Sequence, residues 1–452
     1  MVRDMTSENP TKLILSFSIP LLIGNVFQQL YSMVDTIVVG RYLGVQALAA
    51  VGATGSLSFL VLGFINGITS GFSVLVAQSF GAGDEKRMRH FVAMSVYLGL
   101  IVSAVLTLST ILLTRDILNL MQTPEDIIDT SEVYIKIIFA GILATMFYNL
   151  LAGVLRALGD SKTPLYFLIL SSILNIGLDL FFVINMKSGV PGVAYATVIS
   201  QAVSAIACLF YMAVKFPILH FHKEELKFSL LSAARLFQVG IPMALQFSIT
   251  AIGTMVLQSA INGLGSTVVG AYTAASKAEQ LAVQPMITFG TTMATYVGQN
   301  LGAGRMDRIR EGVKKCIMIS CIFSILGSLL VVFCGGILVS LFITGEQPEV
   351  MAYARQYLNT IAIFFIPLGL IFIYRNTLQG MGDGFIPMMA GVVELGMRVF
   401  VAFVLAKQFG YTGICLAGPI AWIGADIPLM ITYYVRMGKI KKREREMKAL
   451  KE

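Results

Sequence analysis

The stretch Gln78-Ser79-Phe80-Gly81-Ala82-Gly83 returns as Gln299-Asn300-Leu301-Gly302-Ala303-Gly304, each copy closing a long apolar run and opening a basic loop. Leu155-Arg156-Ala157-Leu158-Gly159-Asp160, with Pro164 behind it, returns as Leu378-Gln379-Gly380-Met381-Gly382-Asp383 with Pro387. Ile19-Pro20 returns as Ile241-Pro242, so the three pairs share an offset of 221–223 residues. One plan is written twice. The longest polar stretch, KFPILHFHKEELKFSLL over residues 215–231, lies between the copies and places the lobe boundary near His222, with residues 1–222 in one lobe and 223–452 in the other.

The plan is a membrane plan. With 56% hydrophobic and 13% charged residues over 452 positions and a mean hydropathy of +0.79, too few polar side chains are present to cover a water-soluble surface. A spanning helix takes about 20 apolar residues to cross about 30 Å of hydrocarbon. Such runs follow one another at 13–39, 47–79, 91–114, 131–156, 163–184, 190–214, 232–262, 267–300, 314–341, 353–379, 386–408 and 411–435. The expected fold is an all-α polytopic membrane protein of twelve transmembrane helices in two pseudo-symmetric six-helix lobes. Six is even, so both halves share one orientation and are related by an axis along the membrane normal. A β-barrel would need short segments of strict apolar and polar alternation, which are not visible. The first run is longer than a signal-peptide core and is expected to stay as a helix.

Basic residues set the orientation. Inner loops would hold Arg3, Lys12, Lys86, Arg87, Arg89, Arg156, Lys162, Lys215, Lys223, Lys227, Arg305, Arg308, Arg310, Lys314 and Lys315, against Arg41, Arg115, Lys187, Arg355 and Lys407 outside. Both termini are therefore expected on the cytoplasmic side of the inner membrane. The tail RMGKIKKREREMKALKE, residues 436–452, is read as a solvated end that fixes topology, with contact to anionic headgroups as the alternative. The net charge of +8 is then an orientation signal, and no nucleic-acid partner is implied.

Cys208, Cys316, Cys321, Cys334 and Cys415 form no CxxC pair and read as packing or lipid-facing residues. His90, His220 and His222 fall in predicted loops away from any acidic or cysteine cluster, so no structural metal site is expected. No cofactor is implied, and a monomer is expected.

A carboxylate inside a membrane span is costly and marks a functional hypothesis. Asp35 (LYSMVDTIVVG) sits about one turn from the outer end of the first span. Asp179 (LNIGLDLFFV) lies at similar depth in the fifth, so the two acids can meet. Asn175 is one turn before Asp179 on the same face, and Thr197 is about two turns into the sixth span. Carboxylate, amide and hydroxyl oxygens at one depth suit either Na⁺ or a shared proton. For each residue alone, an interhelical hydrogen bond is the ordinary reading. Pro20, below Asp35, permits a kink.

The second half carries Lys277 and Glu279 in the eighth span, Arg375 in the tenth, Glu394 and Arg398 in the eleventh and Asp426 in the twelfth. Glu394 and Arg398 stand at i and i+4 and read as a structural pair; a substrate or gating contact is the alternative, as it is for Lys277, Glu279 and Arg375. The 29 phenylalanines, 16 tyrosines and 23 methionines suit either an adaptable wall for flat compounds or ordinary packing.

Taken together, QQLYSMVDTIVVGRYLG, the AQSFGAG and GQNLGAG loops, LRALGD with LQGMGD, and ASKAEQLAVQP give the whole chain a resemblance to the multidrug and toxic compound extrusion (MATE) family. The resemblance implies two six-helix lobes forming a V, and export of small organic compounds, often cationic, driven by inward Na⁺ or H⁺. It also implies a first-lobe cation site that Asp35, Asn175, Asp179 and Thr197 match, and a bending proline matched by Pro20. The NorM-like branch has further acids in helices seven and ten; IPMALQFSITAIG and IAIFFIPLGLIFIYR contain none, so the chain looks closer to the DinF-like branch. A lipid-linked oligosaccharide flippase would line its cavity with several arginines and lysines, whereas away from the span ends the second half holds only Lys277, Arg375 and Arg398, beside acids. An intramembrane enzyme would need an HExxH or similar constellation, which does not appear. A buried carboxylate cluster in a two-lobed repeat suits alternating access better than a channel.

Overall fold

A computed structural model describes residues 3–340 and 348–449; the last residue of the predicted span 314–341 and the tail from 450 onward lie outside them. Among the described residues the regular structure is entirely helical. We number the helices α1 (Pro10–Leu43), α2 (Gln46–Gly81), α3 (Glu85–Leu120), α4 (Glu125–Ala140 with Ile142–Ala157), α5 (Lys162–Asn185) and α6 (Gly189–Lys215). The second set is α7 (Leu230–Asn262), α8 (Ser266–Gly302), α9 (Met306–Ser340), α10 (Pro348–Ala362 with Phe365–Gly380), α11 (Phe385–Phe409) and α12 (Tyr411–Glu444).

Among the described residues nine of these are long and apolar enough to cross a membrane, and eleven are if α4 and α10, bent by 46° and 54°, each count as one span. The twelfth, α8, is 37 residues long; its Lys277, Glu279 and many Ser, Thr and Gln residues hold down its apolarity. The outer faces confirm lipid as the solvent. Leu108 and Leu112, Ile206 and Phe210, and Phe333 and Ile337 are i,i+4 pairs whose side chains are 64–77% exposed. Water would not tolerate such stripes.

The repeated motifs are helix stops joined to helix starts. In LRALGD, Gly159 takes a positive φ of 81°, and Asp160 N–H donates to Leu155 O at 2.9 Å. In LQGMGD, Gly382 has φ 84° and Asp383 N–H donates to Leu378 O at 3.0 Å. This is the glycine-terminated C-cap, in which a left-handed residue lets the next N–H reach back to an orphan carbonyl. Each aspartate then caps the following helix: Asp160 Oδ1 accepts from Thr163 N–H at 3.0 Å and Asp383 Oδ1 from Ile386 N–H at 3.2 Å. Six residues therefore turn the chain through the interface and restart it.

Two compact units form. Residues up to Ser7 join Ser16–Ser248, and Glu8–Leu15 join the chain from Ile249 onward. In the first unit α2 and the first half of α7 meet backbone to backbone, because Gly67 and Gly71 lie one turn apart on one face. A Cβ at Gly67 would stand 2.6 Å from Ala244 Cα, and one at Gly71 2.5 Å from Gly240 Cα.

The loop between α6 and α7 is clasped to α3 within the same unit. Arg89 Nε donates to both carboxylate oxygens of Glu225 at 2.9 Å, and its Nη1 donates to Ile218 O at 3.1 Å. His90, placed within α3 and not in a loop, bonds Glu225 O and Ser232 Oγ, both at 2.9 Å. Burial by itself would push the Glu225 carboxyl up, but the His222 N–H and Arg89 outweigh it and hold the group below the usual carboxylate range. The five cysteines are free; Cys208, Cys316 and Cys415 are buried.

Gly71→Ala should lower the thermal stability of the purified protein by about 1–3 kcal/mol, since a methyl group has nowhere to go. Gly270→Ala, where nothing lies within 4 Å, should be neutral or slightly stabilising, because alanine is the better helix former. Equal effects at both positions in thermal unfolding would rule out the close α2–α7 contact as the cause.

Candidate functional site: a carboxylate pair and a buried ion network

Within the first unit, α1, α5 and α6 bring together Asp35, Asn175, Asp179 and Thr197. Asp179 is 0% exposed and Asn175 1%, while Asp35 and Thr197 are half-buried. Asn175 Nδ2 donates to Thr197 Oγ1 at 3.3 Å, and Thr197 in turn gives its proton to Val193 O at 3.2 Å. That chain orients the amide and leaves its oxygen without a donor. Asn175 Oδ1, Asp35 Oδ1 and both carboxylate oxygens of Asp179 are buried acceptors that receive no hydrogen bond when both acids are ionised. The Asp35 and Asp179 carboxyls lie within hydrogen-bonding reach of one another, so a single proton on either one would join them.

Burying ionised oxygens without donors is strongly unfavourable. These groups therefore require a proton or a cation, and oxygen-only ligands suit a hard ion. Among the described residues no group of three or more His, Cys, Asp or Glu side chains gathers, so a transition-metal site has no basis in them. Two phenols complete the surroundings and escape the sequence reading. Tyr31 lies one turn before Asp35 and beside Thr197 and Asp179; its i−4 spacing was the available signal. Tyr134 of α4 stands near both acids and carries no such signal.

Local backbone geometry sets these groups apart. Five-residue π-helical segments follow the charged residues at Val39–Leu43 in α1, Phe181–Asn185 in α5 and Val401–Leu405 in α11. They begin within four residues of Asp35, Asp179 and Arg398 respectively. Such widened turns re-aim the side chains around them and recur at functional sites. Pro20 lies buried inside α1, whose helix continues past it.

In the second unit Glu394 is the centre of a network. It pairs with Arg375 of α10 at close range, and Arg398 Nη2 reaches its Oε2 at 3.4 Å. The i,i+4 pair is present, yet it is the weaker arm. Gly253 of α7 leaves the space that Arg398 occupies: a Cβ there would be 3.0 Å from Nη1. Asp426 of α12 adds a second acid beside Arg375 and Glu394, and its Oδ1, Arg375 Nε and Arg398 Nη1 have no hydrogen-bond partner. Glu279 of α8 accepts from Tyr357 OH at 2.8 Å, with the Tyr272 ring 4.9 Å from that of Tyr357. Lys277 is exposed and outside this group.

A polytopic helical fold written as two repeats, with unsatisfied acids buried inside, has the architecture of a membrane transporter. A family model described as MatE matches residues 20–181 and again 242–404, the same offset as the repeat. The chain belongs to the MATE family of multidrug efflux transporters. It is 32% identical over 383 residues to the probable multidrug resistance protein YpnP of Bacillus subtilis (strain 168), covering 84% of each chain. It is 31% identical to the probable multidrug resistance protein YoeA of the same organism, covering 90% of this chain and 88% of the relative. In fold it matches a solved multidrug resistance MATE transporter of the MOP superfamily, described as outward-facing, with a TM-score of 0.89 and 23% identity over 97% of this chain and 98% of that one.

Glu394→Gln leaves two buried guanidiniums short of a carboxylate and should cost about 3–5 kcal/mol of stability. Adding Arg375→Met should recover part of that loss, and adding Arg398→Met less, because Arg398 reaches Glu394 only at 3.4 Å. Thermal unfolding of the single and double variants checks the order; equal recovery would contradict it.

Proposed function

We propose that this transporter is a secondary antiporter that exports organic, often cationic and amphipathic, compounds in exchange for H⁺ or Na⁺ by alternating access. The observation that carries the reading is the set of four buried acceptor oxygens on Asp35, Asn175 and Asp179 that no hydrogen satisfies. A group that must be neutralised to be stable is a coupling site if its neutraliser can come and go. The coupling ion is cargo. A proton would be held between the Asp35 and Asp179 carboxyls; Na⁺ would take their oxygens with Asn175 Oδ1 and the Thr197 hydroxyl.

In this reading both termini are cytoplasmic in the cell membrane, the lobes are 1–222 and 223–452, and the protein works as a monomer. The lack of acids in the residues cited above in helices seven and ten supports a position nearer the DinF-like branch. Pro20 acts as the hinge of α1. Lys277, Glu279, Arg375, Glu394 and Arg398 serve substrate contact or gating, with the ion pairs among them setting the geometry. Multidrug relatives support the substrate class.

Binding at Asp35 and Asp179 can move α1 only if the ion prefers one form of that helix. Drug and ion then weaken each other by the same factor, about 5–150-fold for a typical coupling free energy of about 1–3 kcal/mol. Equilibrium drug binding across pH and Na⁺ series should show this competition, and Pro20→Ala should shrink it while keeping both sites. Affinity flat in both series would exclude direct competition.

Asp35→Asn keeps size and removes the charge, so it should abolish gradient-driven export while the protein remains folded and inserted. Proteoliposomes with independently imposed Na⁺ and H⁺ gradients supply the measurement and identify the ion. Export equal to the parent would remove Asp35 from coupling.

A further inference from the structure

The helix-stop loops of the two repeats are finished differently. In the first unit the Leu158–Asp160 loop is covered by the chain itself. Arg3 N–H donates to Leu158 O at 2.9 Å, and the Arg3 carbonyl lies so close to Gly159 that no Cβ would fit there. The linker returns Phe216 and Leu219 to the apolar core that holds Leu155, Ala157 and Leu158. In the second unit the corresponding loop borders open space. A cavity of about 330 Å³ is lined by Leu301 of the GQNLGAG loop, Met306, Met381 of the LQGMGD loop, and Arg436, Lys439, Ile440 and Arg443 of α12.

The three cations stand at spacings of three and four residues, which puts them on one face of the helix. Arg436 is held by Asp383, Nη1 to Oδ2 at 3.4 Å. Among the described residues Lys439 and Arg443 have no ion-pair partner, although Arg310 pairs with Glu444 and Lys442 approaches Glu446 nearby. Leu301, Met306 and Met381, with Ile440 on the same helix as the cations, supply the apolar part of the lining. The cavity therefore offers positive charge and hydrocarbon contact within one small volume, of the size that holds small ligands. Its height in the membrane follows from helix length. α12 spans 34 residues, about 50 Å at about 1.5 Å per residue against about 30 Å of hydrocarbon. Its last turns must emerge at the headgroup level.

We propose that this cavity is a binding site for the phosphodiester headgroup of an anionic phospholipid, with Lys439 and Arg443 engaging the phosphate and the apolar side receiving the start of an acyl chain. Arg436, fixed by Asp383, shapes the wall. An apolar side directly beside unpaired cations fits a lipid better than a soluble anion, which has no use for it. The leaflet follows from the orientation proposed above, whose cytoplasmic surface is the more negative; the site does not depend on the export reading, because its test measures binding.

Full-length protein purified in neutral detergent is titrated with phosphatidylglycerol, phosphatidylcholine and inorganic phosphate while thermal unfolding is followed. A ligand that binds only the folded state raises the transition. Phosphatidylglycerol should raise it, and neither phosphatidylcholine nor phosphate should. Lys439→Gln with Arg443→Gln should shift the phosphatidylglycerol midpoint about 25-fold upward, roughly fivefold per cation lost, with the unliganded transition unchanged. Lys441→Gln with Lys442→Gln removes the same charge from the same helix outside the cavity and should leave the midpoint in place. An equal shift in both pairs would mean diffuse attraction by the tail, phosphate alone matching the lipid would mean a soluble-anion site, and no response to phosphatidylglycerol would mean no site; each overturns the proposal.

Discussion

Asp179 has no exposed surface, and neither of its carboxylate oxygens receives a hydrogen bond. That unsatisfied charge is the constraint around which the first half is arranged. Folding could have relieved it with an arginine, as it did for Glu394 in the second half. It did not, and the partner supplied is another acid, Asp35, which makes the demand sharper. Asn175 does not relieve it, because its amide N–H donates to Thr197 Oγ1 and its oxygen is one more acceptor in need of a positive charge. The helices around the pair widen into π-turns just past each acid. A site kept in need of positive charge can be filled and emptied, whereas one already neutralised cannot.

The two halves thus share a frame and differ in chemistry. Their helix stops use the same glycine and aspartate pair, so the path of the chain is repeated faithfully. The polar groups hung on that path are not. A π-turn follows Asp179 in α5 and Arg398 in α11 at nearly the same place in the repeat, yet one flanks free acids and the other a guanidinium bound to Glu394. Backbone geometry is common to the two repeats, and the side chains inside it are not.

What was legible in the sequence follows the same division. The spans, the repeat and the charged positions within spans were readable because lipid permits only long apolar helices and penalises every exception. Asn175 was readable through its one-turn spacing from Asp179, and so was the Glu394–Arg398 pair. Arg375 as the closer partner of Glu394 was not, since the contact joins α10 to α11 and no periodicity links residues on different helices. Tyr357 on Glu279 and Tyr134 near Asp35 escaped for the same reason. The π-turns leave no compositional mark, and the bends in α4 and α10 fall at Gly141 and after Ala362 inside runs that look uniformly apolar. Apolarity also concealed the unusual character of α8, whose polar residues a twelve-span count absorbs without distinction.

The assignment of chain to compact units bears on how such a protein can be made. Sequence repeats meet in the polar linker, but the first unit claims α7 as far as Ser248, and the second claims Glu8–Leu15 from the very start of the chain. During synthesis the first unit lacks its last helix segment until well after the linker has emerged. The opening residues wait longer still, for neighbours made some hundreds of residues later. Neither half-gene encodes a complete core. Two polypeptides divided at the linker would each carry a piece of the other's fold, so they would have to be assembled together in the membrane.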